Sequence, residues 1–311
     1  MANLRPSWPD ILDVSFRTIY EEAKKQIPTK YQTIYNMETS DRQNVKDSSA
    51  SGLSKMVKTT EGDAITYEDP LQGYDVTYTH NKWTLGSKIS QELWEDDQFS
   101  VMKRTPKNLA KAEMRTIETC AADIFNYGRT AGGGGLATFT AGDALALFST
   151  AHTRTDAGAT QSNSTTSDLA EDSLETALVT MRQTVDNKGQ LISIQPDTLI
   201  VPPALEKEAS ILLKSTGRTG TANNDVNPYQ GRLNLVVWDY IGSAVTGGSD
   251  TAWFVLATQD HLLNWFDRST RGVEGPEYDF DTKTAKWSIV RRYSNGFSDW
   301  RGIYGSLGDN S

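Results

Sequence analysis

The sequence predicts an elongated α+β protein, and three observations predict it. Residues 106–127 place apolar side chains on one helical stripe, residues 74–79 alternate apolar and polar with a period of two, and residues 174–256 switch repeatedly between helical stripes and short apolar runs. At 311 residues the chain can bury a substantial core, as two ordinary domains or as one elongated one.

The first element is an amphipathic helix over 10–27. Asp10 follows Pro9 as N-cap, Asp13 and Glu21 precede Lys24 and Lys25 in the order the helix dipole favours, and Phe16, Ile19, Tyr20, Ala23 and Ile27 recur at helical spacing before Pro28. Periodicity makes this the first helix of a compact fold. Residues 38–64 are polar, after which Tyr74, Val76 and Tyr78 face one way and Asp75, Thr77 and Thr79 the other. The alternation resumes at Trp83 and Leu85 in the opposite phase, so a bulge or turn at His80, Asn81 and Lys82 absorbs one residue, and a two-stranded excursion is expected. Such a ribbon has little core of its own. Its aromatics, Tyr67, Tyr74, Tyr78 and Trp83, are therefore candidates for packing on another subunit or domain, together with Phe16 and Tyr20 of the first helix.

The helix over 106–127 carries Leu109, Met114, Ile117, Ala121, Ile124 and Phe125 on its stripe and Lys107, Lys111, Arg115 and Glu118 off it. Pro106 suits its first turn and Gly128 its exit, for a length of roughly 33 Å. The run Gly132 to Gly135 lacks a following Gly-Lys-Ser/Thr and a preceding strand, so it reads as a flexible hinge and not as a phosphate cradle. Leu174, Leu178, Met181 and Val185 form a helical stripe, Leu199 to Val201 a buried strand stopped by Pro202 and Pro203, and Leu205, Ala209, Leu212 and Leu213 a helix up to Gly217. The runs 233–238 and 253–256 are apolar on both faces, as covered strands should be. Between them, the polar stretch 217–231, with Asn223, Asn224, Asp225, Asn227 and Tyr229, should project as a loop. Trp287, Ile289 and Tyr293 alternate as a strand, and Trp300 and Tyr304 are placed on one face of a closing aromatic segment.

Composition restricts function. The formal charge is -9, which opposes tight binding to nucleic acid, whose phosphates need clustered cations. Cys120 is the single cysteine, so neither an intrachain disulfide nor a cysteine zinc cluster can form. No apolar run approaches the ~20 residues of a membrane span, and no apolar signal core follows Arg5, so cytoplasmic production is expected. His80, His152 and His261 lack metal-ligand spacing. Ser149, His152 and Asp156 could be imagined as a hydrolytic set, but the Gly-x-Ser-x-Gly elbow is absent and triad members seldom adjoin, so the stretch reads as a capped turn. Asp225, Asn227, Asp279 and Asp281 could offer oxygen ligands to a divalent cation without EF-hand spacing. Trp287, Arg291, Arg292 and Tyr293 read as a strand pair or interface in preference to a nucleic-acid stripe. No catalytic residue, cofactor or metal is expected.

Four stretches in order, LFSTAHTRTD (147–156), PDTLIVPPALE (196–206), TANNDVNPYQGRLNLVV (221–237) and YSNGFSDWRGIYGS (293–306), resemble major head subunits of Mu-like tailed phages and prophages. The resemblance implies the tailed-phage major capsid fold: an N-terminal arm (1–45), an extended β-hairpin loop with flanking strands (46–95), a peripheral domain with a long spine helix (96–139), an axial domain (140–257), a return to the peripheral domain (258–292) and a C-terminal segment (293–311). It implies a structural subunit that forms hexamers and pentamers of an icosahedral head around double-stranded DNA, with a separate scaffolding protein, a portal and decoration proteins as partners. Loop 217–231 would face the local symmetry axis. Removal of residues 60–80 is expected to leave a soluble protein that cannot close shells. Lys55, Lys58, Lys82 and Lys88 are candidates by location for the inter-subunit crosslink of some relatives, with no matching Asn or Glu assigned. Two alternatives stand beside this: an encapsulin-type compartment shell and a cytoplasmic hydrolase using His152.

Overall fold

The computed structural model describes residues 8–50, 52–70, 72–90, 92–93, 101–139, 142–218, 225–279 and 281–308. Helix α1 (Trp8–Gln26) and the single turn α2 (Tyr31–Ile34) lead into β1 (Asn36–Thr39), β2 (Asn44–Ala50), β3 (Gln72–Thr79) and β4 (Asn81–Ser90). The long helix α3 (Val101–Asn126) follows, then the short strands β5 (Gly133–Gly134), β6 (Ala137–Thr138) and β7 (Ser164–Thr165). Helix α4 (Glu171–Arg182), β8 (Thr198–Val201), α5 (Glu206–Lys214), β9 (Asn234–Val237) and β10 (Trp253–Leu256) come next, and β11 (Leu263–Ser269), β12 (Val273–Asp279), β13 (Thr284–Phe297) and β14 (Ile303–Ser306) close the chain.

Two five-stranded sheets organise these elements. In one, β13 is the common member: it pairs with β11 and β12 in succession, β1 runs parallel to β11, and β4 lies antiparallel to β13 from Ser90↔Thr284 to Asn81↔Tyr293. The alternation read at Trp287, Ile289 and Tyr293 is the buried face of this strand, with Arg291 in the same row. The second sheet has the order β7-β14-β10-β8-β9. Its centre is β10 and β8, whose eight residues are all buried, because apolar runs without alternation can be satisfied only when both faces are covered. Strand β9 is an edge and only half-buried, so the expectation that 233–238 is covered on both faces does not hold there.

Helix α3 joins the two sheets. Ile117, Ala121, Ile124 and Phe125 pack in one cluster with Trp238 and Phe254 on one side and Trp265, Tyr293 and Phe297 on the other. It starts at Val101, not at Pro106, and its 26 residues extend about 39 Å. Pro106 costs the helix one backbone hydrogen bond, to the carbonyl of residue 102, which a helix this long and this well packed tolerates. The off-stripe placement of Glu118 is also corrected: it is buried, as are Glu113 and Asp123. Five residues advance a helix by about 500°, so the three carboxylates fan out around it and each meets a different neighbour. Glu113 accepts a hydrogen bond from Tyr20 of α1 and pairs with Arg291 at 3.1 Å and Lys24 at 3.3 Å. Glu118 accepts the N–H of Lys30 at 2.7 Å and the indole N–H of Trp238 at 2.7 Å. Asp123 accepts the N–H of Leu136 at 2.7 Å. Burial pushes the carboxyl pKa of Glu118 and of Asp123 up, against the pull of these hydrogen bonds.

The glycine run is a packed hairpin in place of the expected hinge. Gly133 and Gly135 have positive φ, and a Cβ on Gly135 would collide with the Asp123 carboxylate. That carboxylate also denies the loop the positive field a phosphate would need. A separate core surrounds α4 and α5, where Leu174, Leu178, Met181, Ala209 and Leu213 pack on Leu199, Val255 and Tyr304. Val185 falls beyond the end of α4 and instead bridges to Leu191. Trp300 and Tyr304 part company: Trp300 joins the cluster at α3, and Tyr304 the cluster at α4.

Candidate assembly interface

The two-stranded excursion exists with a different partner from the one expected. β3 pairs with β2 in a separate ribbon, from Asn44↔Thr79 to Ala50↔Gln72, and β4 leaves it for the sheet of β13. His80 is the pivot: it is buried, and its Nδ1 lies 2.9 Å from the Ser294 hydroxyl of β13, which fixes the phase change read at this residue. The base of the ribbon is held by Val76 and Tyr78, which pack on Phe266, and by a 2.7 Å hydrogen bond between the hydroxyls of Tyr78 and Ser298.

Beyond this base, residues 52–70 are exposed throughout. Met56 is fully exposed and Tyr67 is 88% exposed, with Leu53, Val57 and Ile65 also open. Five large apolar side chains on one loop without a core are an uncovered apolar surface of the kind that marks contact with another molecule. The loop is fixed at its root. Lys188 donates to Glu68 at 2.7 Å and to the carbonyl of Asp69 at 3.1 Å, and Ser54 donates to Glu68 through its N–H and hydroxyl. These donors hold the Glu68 carboxyl down at about 2.

The aromatic candidates separate accordingly. Tyr67 lies free on the loop, whereas Tyr74 is half-buried with its hydroxyl 3.1 Å from that of Thr153. Trp83 stacks on Tyr293, Tyr78 packs on Phe266 at the ribbon base, Phe16 stacks on Trp287 at 4.6 Å, and Tyr20 is buried against Glu113. Within this conformation Phe16 and Tyr20 spend their apolar surface inside their own chain because α1 lies along α3 and β12, and Tyr78 does so against Phe266.

Of the loop 217–231, Asn223 and Asn224 lie outside the described residues. Its base is closed by the Gly217↔Val226 bridge, and Asp225 and Val226 are exposed beside it. Asn227 and Tyr229 are anchors. The Asn227 amide donates to the carbonyls of Leu212 at 2.7 Å and Ser215 at 3.0 Å, satisfying the end of α5, and Tyr229 is buried in the α4–α5 core.

The hydrolytic set does not assemble. His152 is 0% exposed, with Nδ1 2.7 Å from Asp143, Nε2 3.2 Å from the Asn163 side-chain oxygen, and its ring stacked on Trp300 at 4.4 Å. Ser149 instead accepts the N–H of Ala151, and Asp156 pairs with Arg154. Sequence proximity gave the wrong partner because the true one, Asp143, sits nine residues upstream. The oxygen-ligand set is likewise dispersed: Asp279 accepts from Lys286 at 3.0 Å and from the N–H of Asp281, far in the fold from Asp225 and Asn227. Among the described residues no three His, Cys, Asp or Glu side chains group as a metal site. Trp287, Arg291 and Tyr293 are buried in β13, and no described helix is long and apolar enough to cross a membrane.

A chain of this architecture, two sheets joined by a long helix with an uncovered ribbon, has the fold of phage capsid subunits. The asymmetric unit of the bacteriophage PhiM1 mature capsid superposes with a TM-score of 0.59 at 12% identity, covering 92% of this chain and 89% of that one. The capsid of a native GTA particle gives 0.58 at 10% identity over 90% and 91%, and a structure titled Microbacterium phage Oxtober96 gives 0.55 at 8% over 91% and 92%. A search of curated protein sequences returns no match. The family model described as phage capsid protein matches residues 73–306, about three quarters of the sequence, and the chain belongs to that family.

Proposed function

We propose that the chain is the major capsid subunit of a tailed phage of the Mu-like type, forming hexamers and pentamers of an icosahedral head that encloses double-stranded DNA. Assembly takes place in the bacterial host cytoplasm with a separate scaffolding protein, and the finished head carries a portal and, where present, decoration proteins. In this reading α3 is the spine helix, 140–257 the axial domain, 46–95 the extended loop with its flanking strands, which overlies a neighbour, and 217–231 the loop facing the local axis. The observation that carries it is the ribbon of β2 and β3: its outer loop holds five exposed apolar residues that bury nothing in the subunit. A ring or shell covers such surfaces many times over, and modest contacts add through multivalency.

Sedimentation velocity on the purified 34.4 kDa chain tests this. Boundaries near 170 and 210 kDa, the masses of five and six subunits, or shells of far larger mass, are the expected result. A monomer at every concentration, with the scaffold gene co-expressed, contradicts it.

A further inference from the structure

On a chain of net charge -9, one cleft of about 430 Å³ is lined by Lys82, Arg268, Ser269, Arg271, Val290 and Arg292. Its geometry follows from strand register. Arg292 of β13 stands directly opposite Lys82 of β4 on one side and Ser269 of β11 on the other, and the register shift between Asp267 and Ser269 brings Arg268 to the same place. Like charges directly opposite in an antiparallel pair are destabilising. Of the four cations lining the cleft, Arg271 alone has a carboxylate partner among the described residues, Glu274 at 3.3 Å, and both are exposed; the Nε of Arg292 is buried without a partner. Lys82, Arg268 and Arg292 thus face one another with no carboxylate of their own chain paired to them among the described residues. His80, two residues before Lys82, is pushed below the usual imidazole range by burial and then by Arg268 and Arg292, so it registers the uncompensated charge.

The matching charge is on the exposed loop. Residue 61 is midway between the end of β2 and the start of β3, and the turn at its tip places Glu61 and Asp63 in solvent. The Thr60 N–H donates to Asp63 at 2.9 Å, and hydrogen bonds from Thr60 hold that carboxyl below its ordinary range, so it stays ionised. The cleft lies at the opposite end of β3 from this loop, separated by eight residues or about 26 Å of extended chain. The loop root is also fixed to Lys188. The ribbon thus carries the acids away from the cleft of their own chain.

We propose that the cleft receives Glu61 and Asp63 of the loop of a second copy of this chain. The two carboxylates offset two of the three positive charges of Lys82, Arg268 and Arg292, and the contact selects the register in which one subunit overlies the next. This rests on the reading of the chain as a shell subunit and names where the loop docks.

Fluorescence anisotropy of a labelled peptide of residues 56–70 titrated with the unassembled full chain tests it. Saturable binding is expected, weakened at least tenfold by Arg268→Glu with Arg292→Glu. A peptide carrying Glu61→Lys and Asp63→Lys should bind that variant and not the wild type, which separates charge pairing from misfolding. Lys82→Gln with Arg271→Gln, at two exposed positions, should weaken binding three- to tenfold. Equal binding by wild type and variants overturns the proposal, and so does a short DNA duplex that displaces the peptide at lower concentration, since the cleft would then take phosphodiesters. Loss of the peptide contact while wild-type shells still form removes this docking site alone; peptide binding by a chain that never assembles removes the shell reading alone.

Discussion

Deleting residues 54–67 should separate folding from assembly. Removing 60–80 would not, because that cut takes β3 and with it the buried Val76, Tyr78 and His80. Between Ala50 and Gln72, which are paired, the chain spends 21 residues, and the narrower deletion leaves seven while keeping Glu68 beside Lys188. Every described residue removed is exposed, so no apolar burial is lost. Shortening the closed loop threefold lowers its entropic cost by about 1 kcal/mol. For a chain of this size that raises the thermal midpoint by no more than about 2–4 °C. Calorimetry should therefore show an unchanged or slightly higher midpoint, while electron microscopy of the same sample with scaffold present shows no closed shells. A midpoint lowered by 5 °C or more would mean the loop belongs to the subunit core, and normal shells would mean it is not an assembly element.

Three further outcomes follow from the buried polar groups. His152→Ala leaves the buried Asp143 carboxylate without its ring partner and should cost about 1–3 kcal/mol in chemical denaturation, with no His152-dependent ester hydrolysis in the wild type; wild-type stability in the variant would refute the structural role. Trp238→Phe withdraws one donor from buried Glu118 and should cost about 1–3 kcal/mol, read as a lower denaturation midpoint at constant slope; no change would mean that the carboxylate is satisfied by other donors. Burial depresses His261 to about 4, so between the unfolded value near 6.5 and about 4 the unfolded state binds a proton that the folded state does not. Stability from this group is thus complete above about pH 6.5 and falls by about 3 kcal/mol on acidification to pH 4. Glu118 and Asp123, raised by burial, act in the opposite direction as they protonate. The difference between the pH profiles of wild type and His261→Gln isolates the histidine; parallel profiles would contradict its assignment.

What the sequence showed depended on whether periodicity carried the information. The stripe of α3, the alternation of β3 and the buried runs of β8 and β10 were legible because each element presents one or two faces to a core. The register change at His80 was visible, but the partners of β3 and β4 were not: β2 is polar and lies across a long loop from β3, and the pairing of β4 with β13 across about 200 residues leaves no local trace. The buried carboxylates of α3 were missed because a helix surrounded on several sides no longer separates polar from apolar positions. Asn227 and Tyr229 looked like loop residues by composition, yet they anchor the loop by completing the end of α5 and filling the core beneath it. Among the aromatic candidates, exposure separates Tyr67 from Phe16, Tyr20 and Tyr78, and no pattern in their spacing could have done so. The basic cleft was hidden for the same reason as the strand partners: Lys82, Arg268 and Arg292 meet only through register.

The most direct test of the central claim is electron microscopy of the full chain purified after expression alone and after co-expression with a candidate scaffolding protein. The account expects closed icosahedral shells in which the ribbon of each subunit, residues 44–79, lies on the next subunit with its apolar loop covered. Particles absent under both conditions, or shells in which that loop points into solvent, would contradict it.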